Sequence, residues 1–162
     1  MEIRPHAGGI RGVQQTMETM TALINAAYLD PVIRDQAVSA TAHCQRVKRC
    51  QCASILAWVK RKMHYVSDPT DVEALHNPVL IARAIAAGRQ VYGDCDDFSM
   101  YVAALLKSIG LRPVLRAVGY NRGPFQHIYV TCEGMKLDAT RDDWNISIGS
   151  VFPETSHLEL GV

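Results

Sequence analysis

No stretch of this chain stays apolar long enough to span a bilayer, and its opening residues, Met1-Glu2-Ile3-Arg4-Pro5-His6-Ala7-Gly8-Gly9, lack the apolar core of a secretory leader. A membrane partner is therefore not expected, and the expected location is cytoplasmic. Excess charge is missing too. With 17 Lys and Arg against 16 Asp and Glu, the net charge is +1, which removes the electrostatic case for a nucleic-acid partner. Aromatic residues make up only 7% and do not interleave with a basic stripe. The basic residues Arg46, Lys48, Arg49, Lys60, Arg61 and Lys62 read instead as the solvated side of a helix. Internal repeats and low-complexity tracts are absent, which excludes a solenoid. Cysteines number five, an odd count without a leader, so reduced thiols are expected rather than a disulfide framework.

What remains is a chain of 162 residues, 48% hydrophobic, enough for one core and short for two domains. The first dozen residues, with Gly8, Gly9 and Gly12, read as irregular. Residues 13–29 are helical by composition, with Met17, Met20, Leu23, Ile24 and Ala27 on one side. Pro31 opens a second helical stretch that runs, with a break, to about Tyr65. Ser67-Asp68-Pro69-Thr70-Asp71 is a loop, and Asn77-Pro78 starts a helix that ends at Gly88. A strand is expected over Arg112–Gly119, and nothing is read in the tail after Val151.

Chemistry concentrates around Tyr92-Gly93-Asp94-Cys95-Asp96-Asp97-Phe98-Ser99. From Phe98 onward, Tyr101, Val102, Leu105, Leu106 and Ile109 recur at helical spacing, the mark of one buried face. Asp94 is a good N-cap and Asp97 stands where a capping box places its acid, so Cys95 falls in the first turn. There free amides and the positive end of the helix dipole favour a thiolate and can hold an oxyanion. Both acids read as caps.

A base is offered downstream. Phe125–Cys132 alternates polar and apolar residues, Glu133-Gly134 marks a turn, and Met135–Thr140 alternates again, which reads as a β-hairpin. A two-residue turn there opposes Cys132 to Met135 and Tyr129 to Asp138. One face then carries Ile128, Val130, Cys132, Met135 and Leu137, and the other His127, Tyr129, Thr131, Lys136, Asp138 and Thr140. His127 and Asp138 become diagonal neighbours on the polar face, within reach of an imidazole–carboxylate bond. Cys95, His127 and Asp138 thus form a candidate catalytic triad.

The segments Gly93–Ser99, Ser108–Pro113, Gln126–Val130 and Lys136–Thr140, with Ile55–Val59 through Tyr65 and Ser67-Asp68-Pro69, resemble the transglutaminase-like superfamily of papain-like cysteine enzymes over roughly residues 53–141. The resemblance implies an α+β papain-like fold: a helical N-terminal half packed on a small antiparallel sheet, in one domain of residues 1–162. Residues 1–52 would be a helical extension, 53–141 the core and 142–162 a C-terminal segment. It implies acyl transfer from a peptide or glutamine carboxamide through a thioester on Cys95, with a peptide or protein as substrate and no cofactor. Hydrolysis, as by a peptidase or amidase, is the favoured outcome. The alternatives are transamidation to an amine and a catalytically silent binding module. Similar small proteins are encoded by phages. The family usually follows its histidine with a small or aromatic residue, as in His-Ala-Trp, where this chain has His127-Ile128-Tyr129. The second oxyanion donor stays open among Gln90, Tyr92 and Gln126.

Two separate groups of residues invite a metal reading. His43, Cys44, Cys50 and Cys52 suggest zinc, but on an unbroken helix the three thiols point in different directions, so no metal is predicted. Cys44, Cys50, Cys52 and Cys132 read as small buried hydrophobes. Asp94, Asp96, Asp97, Asp142 and Asp143 form no recognisable calcium loop.

Overall fold

The computed structural model describes residues 2–5, 9–67, 72–120, 124–140 and 154–162. The elements in order are β1 (Glu2–Pro5), α1 (Gly9–Ala27), α2 (Pro31–Thr41), a 3-10 turn (Ala42–Cys44), α3 (Lys48–Lys62), β2 (Met63–Tyr65), β3 (Val72–Leu75), α4 (Pro78–Ala86), β4 (Val91–Gly93), α5 (Cys95–Ser108), β5 (Val114–Tyr120), β6 (Phe125–Cys132), β7 (Met135–Leu137) and β8 (Glu154–Gly161). This is a mixed α/β architecture with a small antiparallel sheet in the order β7-β6-β5-β8. Two further strand pairs are separate: β1 with β3, antiparallel, and β2 with β4, parallel. Among the described residues no helix is long and apolar enough to cross a membrane.

Local chemistry explains the helix starts. Asp30 and Asn77 each accept a bond from the amide two residues on and are followed by Pro31 and Pro78, whose fixed φ suits a first turn. The helices bury narrow stripes: Met17, Met20, Ile24 and Ala27 on α1, Ile33 and Ala37 on α2, and Cys52, Ile55 and Val59 on α3. Helix α5 differs. Its residues from Asp96 through Leu106 are all buried, as expected of a helix enclosed on every side. It packs against α1, α2, α3 and α4 and against β6, so the helical layer and the sheet share it as their core.

Sheet register follows from the hairpin. Cys132 pairs with Met135, Thr131 with Lys136 and Val130 with Leu137, the register expected of a two-residue turn. Glu133 (φ 50°) and Gly134 (φ 71°) both take left-handed conformations, as a type I′ turn requires. Ile128, Val130, Cys132 and Leu137 face the core together with Leu115 and Ala117 of β5. The opposite face is less open than its sequence suggests. Tyr129 is buried there, its hydroxyl donating to Glu154 Oε1 at 2.8 Å, with Lys136 Nζ 3.9 Å from its ring centre.

Several sequence expectations change. Residues near the N-terminus form β1 and the start of α1, so Gly9 and Gly12 are helical. The tail after Val151 supplies β8, which lies along the whole of β5. Both are pairings between segments remote in sequence, which no local pattern encodes. A boundary after residue 52 falls inside α3. The largest correction concerns the cysteines. After the 3-10 turn, Gln45 (φ 45°) and Arg46 (φ 64°) reverse the chain, and Cys44 meets Cys50 in a disulfide with the α-carbons 5.5 Å apart. The chain is therefore not free of disulfides, and the helix break that the zinc argument discounted is present.

Candidate active site at the start of α5

Strand β4 runs directly into α5, and its parallel pairing with β2 fixes where that helix begins. The Asp94 side chain caps it, accepting from the amides of Asp96 (3.0 Å) and Asp97 (3.4 Å). Asp97, at the position of a capping-box acid, is also tied to the β3–α4 connection. Fully buried, its carboxylate accepts from the His76 amide at 2.8 Å and the His76 Nδ1–H at 2.7 Å. The side chain lies flat on Gly93, where an added Cβ would stand 2.6 Å from Asp97 Oδ2 and 2.7 Å from its Cβ. Cys95 is thus the first residue of a helix whose first turn is fastened to the β3–α4 connection.

The same turn is fastened to the sheet. Strand β7 ends at Leu137, so among the described residues the edge of β6 at Ile128 has no strand partner on that side. Helix α5 fills the gap: Ser99 Oγ donates to the Ile128 carbonyl at 3.2 Å, and the Ile128 amide donates to Cys95 Sγ. His127, one residue earlier on β6, lies beside that contact. Its Nε2–H donates to Asp138 Oδ2 at 2.7 Å, while Asp138 Oδ1 accepts from the Thr140 amide (3.2 Å) and hydroxyl (2.8 Å). Burial works against the Asp138 carboxylate, yet the bonds from His127 and Thr140 hold its pKa below the ordinary carboxyl range.

A cavity of about 400 Å³ opens over this junction. Cys95, Asp94 and Asp96 form one wall, Gln126, His127 and Ile128 another, and Gly12, Val13, Thr16 and Met17 of α1 a third. Two imidazole–carboxylate pairs flank α5, and the cavity distinguishes them. His127 shares it with Cys95, whereas His76 and Asp97 do not line it. Of the three residues left open as oxyanion donors, Gln126 lines the cavity; Tyr92 instead donates its hydroxyl to Gln90 at 2.6 Å.

The electrostatics of Cys95 differ from the helix-start expectation. Burial pushes its pKa well above the ordinary thiol value, and the neighbouring Asp96 and Asp94 carboxylates push it further; only the Ile128 amide pulls it down. Its Sγ–H donates to Asp96 Oδ1 at 3.5 Å. Desolvation and the two adjacent anions thus favour the neutral thiol, against the thiolate that a helix start by itself favours. Asp142 and Asp143, weighed earlier with Asp94 as calcium ligands, lie outside the described residues.

Sequence reasoning missed the His76–Asp97 clamp, the α1 wall of the cavity and the disulfide. Nothing in the periodicity links His76 to Asp97. The remaining thiols, Cys52 and Cys132, are buried and hydrogen-bonded to each other, an interaction that pushes Cys52 up. No protein-family model matches the chain. Nor does any curated protein. Among solved structures the chain is similar to a candidate cysteine protease from Cytophaga hutchinsonii, at 13% identity and a TM-score of 0.48, over 80% of this chain and 47% of that one. The chain spans about half the length of that structure.

Proposed function

We propose that this protein is a cysteine-dependent acyl-transfer enzyme on a papain-like, transglutaminase-like fold, hydrolysing peptide or glutamine carboxamides with Cys95, His127 and Asp138. The observation that carries the reading is that His127, bonded to a half-buried carboxylate, lines one cavity together with a thiol at a helix start. A carboxylate on Nε2 commits that proton and leaves Nδ1 as the basic nitrogen. With the neutral form of Cys95 favoured, the thiol gives its proton to His127 as Sγ attacks the carbonyl carbon, a general-base route rather than a standing ion pair. The oxyanion is met by the Cys95 amide and by Gln126, since Asp94 takes the amides of Asp96 and Asp97. His127 then returns the proton to the departing amine, and water resolves the thioester through the same base.

The test is Cys95→Ala on a broad panel of peptide and carboxamide substrates. Turnover should fall by at least ~10³-fold, as for other obligatory nucleophiles, while the far-UV spectrum and melting curve stay close to the parent's. Ammonia release marks a glutamine deamidase, backbone cleavage a peptidase, and incorporation of a labelled amine a transglutaminase. A folded Cys95→Ala protein that keeps every activity of the parent would refute the nucleophile and leave a binding module.

A further inference from the structure

The turn between α2 and α3 carries a second cluster of reactive side chains. Cys44 is buried, Cys50 half-buried and His43 exposed, and one ligand atom from each lies within 4.8 Å of the others. Ser54 Oγ, one turn along α3 from Cys50, is 3.1 Å from His43 Nε2 and 3.3 Å from Cys44 Sγ. Four donor atoms therefore converge. A cavity of about 320 Å³ opens beside them, lined by His43, Cys50 and Ser54 but not by Cys44.

The backbone is bent to bring this about. Gln45 and Arg46 are consecutive non-glycine residues at φ 45° and 64°, a conformation that side chains with a Cβ avoid. Strain of that kind persists where surrounding interactions demand it. A disulfide alone demands only the two sulfurs, and it needs neither an imidazole nor a hydroxyl beside them. The spacing of the other donors is informative. Zinc bonds of about 2.3 Å to sulfur and 2.1 Å to nitrogen, at a tetrahedral angle, put the two ligand atoms roughly 3.6 Å apart. Cys44 Sγ and His43 Nε2 are 3.7 Å apart.

We propose that His43, Cys44 and Cys50 form a zinc site that the Cys44–Cys50 disulfide closes, with a water held by the Ser54 hydroxyl at the fourth corner. A dithiol reductant opens it. The two-electron exchange gives the Cys44 and Cys50 thiols and the oxidised reductant, and zinc then displaces one proton from each thiol as both sulfurs coordinate. The site is independent of Cys95. Its ligand set of two thiolates and one imidazole suits zinc over magnesium or calcium, which take oxygen donors.

The experiment adds zinc alone to the full chain, with and without prior reduction under anaerobic conditions, removes unbound metal by dialysis, and measures the zinc retained. Reduced protein should keep one zinc per chain and oxidised protein none. Cys44→Ser and Cys50→Ser should each abolish retention, His43→Ala should weaken affinity at least ~10-fold, and Cys52→Ala should leave it unchanged. A readout without variants guards against misfolding: zinc should protect Cys44 and Cys50, but not Cys95, from alkylation when the reduced chain is mapped by mass spectrometry. Reduced protein that retains no zinc overturns the proposal, as does retained zinc that leaves both Cys44 and Cys50 open to alkylation.

Discussion

Replacing Gly93 by alanine probes how α5 is held in register under the cavity. The φ of Gly93 is not in the left-handed region, so the backbone itself accepts alanine, and the loss of unfolded-state freedom would by itself stabilise by ~0.4–1 kcal/mol. Space decides the other way. The added methyl would meet Asp97 at both Oδ2 (2.6 Å) and Cβ (2.7 Å). The Cβ contact is the root of a side chain, so rotation cannot relieve it and the first turn of α5 must move. Overpacking of this kind costs about 1–3 kcal/mol, and weakening the charge-assisted bonds from Asp97 to His76 adds about 1.5–3 kcal/mol. A net loss of about 1.5–5.5 kcal/mol survives the entropic gain and lowers Tm by roughly 3–20 °C for a chain of this size. Thermal melts followed by circular dichroism measure it. Gly161→Ala is the control, since a Cβ there meets nothing within 4 Å, and its Tm should not fall. In an Asp97→Gly background, which removes both contacting atoms, Gly93→Ala should add almost nothing; in Asp97→Ala, which keeps the Cβ, most of the steric loss should persist. A Gly93→Ala protein melting within about 1 °C of the parent, or an equal loss in the Asp97→Gly background, would refute the reasoning.

Asp96→Asn removes one of the two anions that hold the Cys95 proton on, so iodoacetamide labelling of Cys95 at pH 8 should quicken, by about tenfold for each unit the thiol pKa falls; unchanged labelling would contradict the assigned cause. In the parent, that labelling should still be rising with pH beyond the ordinary thiol value of ~8.5, whereas a plateau near neutrality would mean a standing thiolate. Asp138 has a depressed folded pKa, so its contribution to stability is full above about pH 4 and is lost as pH falls through the lower folded value. Urea midpoints at pH 7 and pH 3 should therefore differ less in Asp138→Asn than in the parent. Tyr101, fully buried, donates its hydroxyl to Gln36 Oε1 while Gln36 Nε2 donates to the Ala82 carbonyl at 2.8 Å; Tyr101→Phe leaves a buried acceptor unmatched and should cost about 1–3 kcal/mol in chemical denaturation.

Features encoded over a few neighbouring residues were legible before any coordinates. The β6–β7 register follows from two left-handed turn residues and the alternation on either side, and with it the approach of His127 to Asp138, which is a consequence of strand geometry. Helix α5 was equally legible, because its apolar spacing and the Asp94 cap are both local. Which histidine stands by Cys95 depends on docking instead. His76 and His127 each bind a carboxylate, and only the seating of α5 on the free edge of β6 separates them.

Sequence by itself determined the elements, their caps and the hairpin, since each depends on interactions within a turn or across one tight loop. Tertiary structure alone decided the rest. It paired β1 with β3 and β5 with β8, set Asp97 on His76 across 21 residues, and turned the chain at Gln45 and Arg46 so that Cys44 could reach Cys50. It also reversed the electrostatic reading of Cys95. A helix terminus is a local property that lowers a thiol pKa, but burial depth and the aim of neighbouring carboxylates, which raise the pKa of Cys95, exist only once remote segments have packed.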